Sequence, residues 1–172
     1  MVITMYYINM FFLFSIIGHF IENFFYSNID SGILYGFWTP IYGLGVLLII
    51  LINNILKKVK LNKLAHFFFI FLICATTISL LELIGGYTIE LLFDRVFWDY
   101  SNLPLNIGKY TSLSMCLIWG SASVLFLYIL KPIAEVLIKK TPKHITYILS
   151  ILFIIDVIIT IINRVNLINC LI

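Results

Sequence analysis

The sequence predicts an all-α integral membrane protein, a bundle of about five transmembrane helices with an irregular Trp-Asp-Tyr-Ser segment on its outer side. Three observations predict it. Hydrophobic residues make up 62% of the chain and charged residues 11%, a composition that a water-soluble fold of this size cannot accommodate. Five apolar stretches, over about 3–26, 37–56, 65–92, 110–130 and 145–163, are each close to or beyond the roughly 20 residues a helix needs to cross a bilayer. The connections leave no room for a soluble domain, so 1–172 reads as a single membrane domain whose motifs lie in about 10–125, followed by a C-terminal apolar helix at about 145–163. A dispersed net charge of +3 carries no nucleic-acid footprint. Three cysteines, two of them in apolar runs, give neither a disulfide framework nor a zinc site. No metal or cofactor is expected.

The first stretch lacks a basic leader and a small-x-small cleavage site, so it reads as a retained span. Near its far end, His19, Glu22 and Asn23 are spaced to share one helix face. A lipid-facing carboxylate is costly, so Glu22 either points into the bundle or reaches headgroup water. In the second stretch Thr39 can cap a helix that opens on Pro40; alternatively the helix starts earlier and Pro40 kinks it. Gly43 and Gly45 would let another backbone approach closely.

The third stretch carries Ser79, Glu82, Gly86 and Glu90 as one polar stripe on an apolar helix. Glu82 lies deep in the membrane and Glu90 about 12 Å further out. Glu82 calls for a partner, with His19, a second carboxylate or a bound cation as candidates; the plainer alternative is a hydrogen bond that locks two helices. Beyond it, Trp98 and Tyr100 suit the headgroup region, Pro104 stops any helix, and Asp99 and Asn106 offer oxygen ligands, although an ordinary interfacial loop explains them too. The fourth stretch brings Trp119, Gly120 and several serines, expected at helix contacts. The tract 132–143 reads as a solvated basic loop, with a short amphipathic surface helix as the alternative. In the fifth stretch Asp156, Thr160 and Asn163 share a face, and Asp156 either pairs locally, with Arg164 or a hydroxyl, or serves a pathway.

Positive charge sets the orientation. Lys57, Lys58, Lys60 and Lys63 follow the second span, and Lys131, Lys139, Lys140 and Lys143 follow the fourth, against Arg95, Lys109 and Arg164 on the opposite side. This imbalance places the N-terminus in the cytoplasm and the C-terminus outside.

The order Gly18, Glu22, then Tyr35-Gly36, Pro40-Ile41-Tyr42-Gly43-Leu44-Gly45, Glu82, Gly86, Glu90, Trp98-Asp99-Tyr100-Ser101, Asn106 and Trp119-Gly120 resembles a bacterial family named putative ABC-transporter type IV, or CmpB-like. The likeness covers about 10–125. Three departures stand out: His19 where a Trp commonly follows the first glycine, Phe37-Trp38-Thr39-Pro40 in place of a Pro-x-Cys-Pro element, and Thr111 and Ser112 where a Cys is expected. The resemblance implies a permease-like component of a transport system in the bacterial inner membrane. Glu22, His19, Glu82, Glu90, Asp99 and Asn106 are its expected binding or pathway residues. Gly36, Pro40, Tyr42, Gly43, Gly45, Gly86, Trp98, Tyr100, Trp119 and Gly120 form the structural motif.

The chain has no phosphate-binding Gly-x-x-x-x-Gly-Lys-Ser/Thr loop, so ATP-driven transport requires a separate ATPase subunit, docked on the lysine-rich face, and five short spans suggest a homo- or hetero-oligomer. A membrane-embedded enzyme acting on a lipid-linked substrate and a scaffold or regulatory subunit are the alternatives. The site expectation is that Glu22, Glu82 and Glu90 converge in one water-accessible cavity walled by spans one to four, with 98–108 folded over its mouth.

Overall fold

The computed structural model describes residues 3–25 and 33–169, with side chains over 3–24 and 33–163. Its helices are α1 (Ile3–Phe25), α2 (Pro40–Leu56), α3 (Lys63–Phe93), α4 (Leu113–Leu125), α5 (Lys131–Lys139) and α6 (Lys143–Asn169). Four helical runs are long and apolar enough to cross a membrane: Ile3–Phe24, Lys63–Phe93, Leu113–Lys139 and Lys143–Asn163. The shorter apolar α2 runs back beside α1. Its first turn lies at Glu22, near the end of α1, through Thr39. Its last residue, Leu56, packs in one cluster with Ala134 and Ile138 of α5, the helix whose Glu135 accepts a hydrogen bond from Tyr6 at the start of α1. At 17 residues, or about 25 Å, α2 is at the lower limit for a span.

Local chemistry explains the boundaries. Pro40 opens α2, where a missing N–H costs nothing, and no kinked earlier turn precedes it. Thr39 is the N-cap residue, with extended backbone at φ −114°, but its hydroxyl caps nothing and is used elsewhere. The Asn62 side chain caps α3 by accepting from the Ala65 amide at 2.8 Å, and α3 ends at Asp94 in the left-handed region, φ 49°. Its 31 residues, about 46 Å, exceed the hydrocarbon thickness, so α3 must tilt or project. The Ser112 hydroxyl caps α4.

Residues 94–112 form a strap at the far end of α3 and α4. It contains a minimal antiparallel pair, β1 (Asn106–Ile107) with β2 (Thr111–Ser112), joined through Gly108 at φ +62°.

The tract after the fourth span corrects the loop expectation. Residues 113–139 form one helical run, and only 140–142 connect it to α6. Pro132 cannot donate its amide to a preceding turn. A π-helical turn at Phe126–Leu130 lies just before it, with the Lys131 amide bonded to the Phe126 carbonyl. Beyond it α5 is amphipathic: Ala134 and Ile138 are buried in the core with Met10, Ile50 and Ile70, while the lysines at its end stay exposed.

Candidate functional site

Among the described residues Glu82 is the most buried carboxylate, with only 4% of its surface exposed. Its oxygens accept from the Tyr100 hydroxyl of the strap at 3.1 Å and from Trp119 Nε1 of α4 at 3.0 Å. Both donors are neutral, and among the described residues no cationic side chain forms an ion pair with Glu82. The expected partner His19 is elsewhere. Its Nε2 lies 2.9 Å from the Asn23 amide, and its ring packs edge-on against Phe20 and Phe37. One turn along α3 from Glu82, the buried Ser79 hydroxyl has no hydrogen-bond partner among the described residues.

Glu22 is half-buried between α1 and the start of α2. It accepts from Thr39 Oγ1 at 3.2 Å and is hydrogen-bonded by Tyr42. The Tyr42 ring lies on Gly18, where a Cβ would collide with it. The Thr39 amide donates to the Ser15 carbonyl at 3.0 Å, pinning the start of α2 against α1. Glu90 sits near the C-terminal end of α3, its side chain 31% exposed. Tyr110 Oη donates to one of its oxygens at 2.7 Å and Lys109 Nζ to the other at 2.6 Å. The Tyr110 ring occupies the space over Gly86 that a Cβ would need. Trp98 meets that ring edge-on and donates to the Tyr110 carbonyl at 3.3 Å.

The three carboxylates take separate sets of partners. Glu22 and Glu82 both turn into the protein, but they are linked through a pair of rings: Tyr42 contacts Trp119 at a centroid distance of 5.9 Å, and Trp119 donates to Glu82. Glu90 stands apart with Lys109 at the surface. Asp99 and Asn106 shape the strap instead of entering the Glu82 site. Asp99 accepts from the Ser101 amide and hydroxyl, and Asn106 donates to the carbonyls of Ser101 and Gly108. The Ser101 hydroxyl and amide hold the Asp99 carboxyl below its ordinary range. Glu90 raises the Lys109 ammonium, and desolvation, followed by the bond to Glu90, raises the Tyr110 phenol.

The glycines divide by function. Gly43 seats the Phe11 and Ser15 side of α1, and Gly120 seats Phe71 and Ala75 of α3, as close packing requires. Gly36 makes room for the indole of Trp38. Gly45 departs from expectation, because a Cβ there would meet nothing within 4 Å.

Asp156 of α6 proves more connected than its sequence context indicates. It accepts from the Tyr35 amide at 3.0 Å, the Gly36 amide at 2.8 Å, Trp38 Nε1 at 2.6 Å and Thr160 Oγ1 at 3.3 Å. The Arg164 side chain proposed for it lies outside the described residues. Irregular backbone at membrane depth needs its amides satisfied, and Asp156 does this for the segment before α2. The same segment and α6 border a groove of about 540 Å³, lined by Tyr35, Trp38, Leu152, Ile155, Ile159 and Asn163 among others. The sequence signal was a carboxylate in an otherwise apolar helix. Its main donors are backbone amides, which no residue type announces.

Among the described residues no group of three His, Cys, Asp or Glu side chains is placed to hold a metal ion. Comparison with curated proteins and with solved structures returns no match. A family model described as putative ABC-transporter type IV matches residues 9–162, which extends the likeness past the motifs to Asp156 and Thr160. With most of its length matched and its helices long and apolar enough to cross a bilayer repeatedly, the chain belongs to that family of transport-related, multi-pass membrane proteins.

Proposed function

We propose that the chain is the permease-like membrane subunit of a transport system, with Glu82 as the carboxylate that passing cargo or its counter-ion must engage. The observation that carries this reading is the pairing of Glu82 with two neutral donors, one of them on the strap. A buried carboxylate with no ion-pair partner among the described residues leaves its charge to be balanced by a proton or a visiting cation. The Tyr100 contact ties its closure to a surface segment that can lift. Asp99 and Asn106 then serve the site by shaping the strap that carries Tyr100.

The lysine-bearing end faces the cytoplasm in this reading, with the N-terminus inside and the C-terminus outside, and it receives a separate ATPase subunit. Tagged protein extracted in mild detergent should carry that ATPase with it, and Glu82→Gln in the purified complex should alter its ATP hydrolysis without lowering folded yield. Recovery of the chain without an ATPase, or unchanged hydrolysis in the variant, counts against the proposal.

One observation favours a second reading, a scaffold that binds another membrane protein. Glu22, Glu82 and Asp156 each join two or more elements through hydrogen bonds. In a scaffold, glutamine at 82 still accepts a bond, so both fold and cellular phenotype would survive Glu82→Gln. In the permease the phenotype is lost while the fold persists.

A further inference from the structure

Two stretches of this chain, 68 positions apart, carry one pattern. Gly18-His19-Phe20-Ile21-Glu22 in α1 and Gly86-Tyr87-Thr88-Ile89-Glu90 in α3 share Gly-x-x-Ile-Glu, each followed three residues later by a phenylalanine, Phe25 and Phe93. The same offset carries Tyr42 onto Tyr110. The fold makes the correspondence physical. α1 and α3 both lead from the lysine-bearing end to the far end, and each packs most extensively on the helix that follows it, α2 and α4. In each hairpin the tyrosine ring lies on the glycine, with its Cβ, Cγ and one Cδ nearest, and the hydroxyl reaches the glutamate one turn on. Four residues rise about 6 Å along a helix, a span that a tyrosine side chain bridges.

The copies differ at the residue before the tyrosine, which is Ile41 in the first and Lys109 in the second. In the second copy the Lys109 ammonium lies 2.6 Å from Glu90 Oε1 while Tyr110 holds Oε2. In the first, no lysine or arginine among the described residues forms an ion pair with Glu22, whose partners are the hydroxyls of Thr39 and Tyr42.

We propose that α1–α2 and α3–α4 are two copies of one helical hairpin, and that Glu22, Thr39 and Tyr42 form a binding site for a protonated primary amine, the group that Lys109 supplies from within the chain at the second copy. The chemistry fits. A primary ammonium presents three N–H donors, and the site offers a carboxylate and two hydroxyl oxygens converging from the end of one helix and the start of the next. Glu22 is half-buried, which leaves it reachable while removing much of the competing water. Parallel internal repeats of this kind are a recurrent way of building membrane transporters, yet binding here requires neither transport nor an ATPase. Failure of this site and failure of the permease reading are therefore separately visible.

The test is calorimetric titration of the full chain in lipid nanodiscs with methylammonium, with tetramethylammonium as a cation that has no N–H, and with sodium. Methylammonium should saturate a single site per chain, and Glu22→Gln should weaken it by about tenfold or more. Ile41→Lys should abolish it, because the new side chain occupies Glu22 from within. Lys109→Ile, at a side chain 46% exposed where folding is not at stake, should free Glu90 and raise the stoichiometry to two. Equal binding of tetramethylammonium or sodium, indifference to Glu22→Gln, or a stoichiometry that stays at one in Lys109→Ile would overturn the proposal.

Discussion

Glu82 shows how a single side chain carries both cost and purpose. Truncation by Glu82→Ala leaves Trp119 Nε1 and the Tyr100 hydroxyl without their acceptor. Orphaned buried donors cost about 1–3 kcal/mol each, so the melting temperature in detergent should fall clearly for Ala and much less for Gln, which keeps one acceptor oxygen. Equal melting of the two variants would mean that neither donor depends on the carboxylate. Asp156→Ala should be costlier still, because it strips the acceptor from two backbone amides, an indole and a hydroxyl together. A loss of about 3 kcal/mol or more in reversible denaturation is expected, and a loss no larger than that of Glu82→Ala would contradict it. The need for partners at both positions was legible in the sequence, since a carboxylate in an apolar run must be answered. The identities were not. Tyr100 lies 18 residues from Glu82 and Trp119 lies 37 away, and helical spacing says nothing about contacts across a loop.

Among the elements, the strap depends on its exposed contacts. Lys109 is held protonated by Glu90, which raises its pKa above the ordinary 10.5. Its contribution to closure is therefore complete below that value and is lost as pH rises through the folded-state pKa. Asp99 has the opposite sign: its lowered pKa makes the Ser101 turn complete above 3.8 and lost as pH falls through the folded value. These two contributions should thus be flat across neutral pH and fail at the extremes. In a Glu82→Gln background, which removes the carboxylate under Tyr100, the fluorescence lost on adding Trp98→Phe would show this, and a transition near neutrality would refute it. Lys109→Gln should speed thiol labelling at Asn102→Cys by about threefold, as befits an exposed ion pair. The start of α2 could be read from Thr39-Pro40, whereas α4, expected from about 110, begins at Leu113 behind the Ser112 cap. The helicity of 131–139 could not be read, because lysines and a proline there looked like a solvated loop, and only the burial of Ala134 and Ile138 reveals its inward face.

For the molecule as a whole, the structure brings the N-terminal end of α1, the 57–62 turn and the 140–142 connection to one end of the bundle, as helices that alternate in direction require. If that end is cytoplasmic, Lys140→Cys in a background lacking native thiols should label only after the membrane is permeabilised, whereas Asn102→Cys should label from outside; the reverse pattern would invert the topology. The bundle architecture was legible because hydropathy is local. The duplicated hairpin was harder to see, since Gly-x-x-Ile-Glu is short and acquires meaning only once the two tyrosines are found on their glycines. The π-turn at Phe126–Leu130 has a different consequence. It holds one residue more than an α-helical turn, so it sets the angular phase of everything after it by about 100°. Deleting one residue there would rotate Ala134 and Ile138 off the core and uncouple Tyr6 from Glu135, measurable as loss of the Tyr6 contact in cross-linking between positions 6 and 135. The lysine-bearing end is indexed to the rest of the bundle by a single surplus residue, so its orientation can be reset without altering any side chain near Glu22 or Glu82.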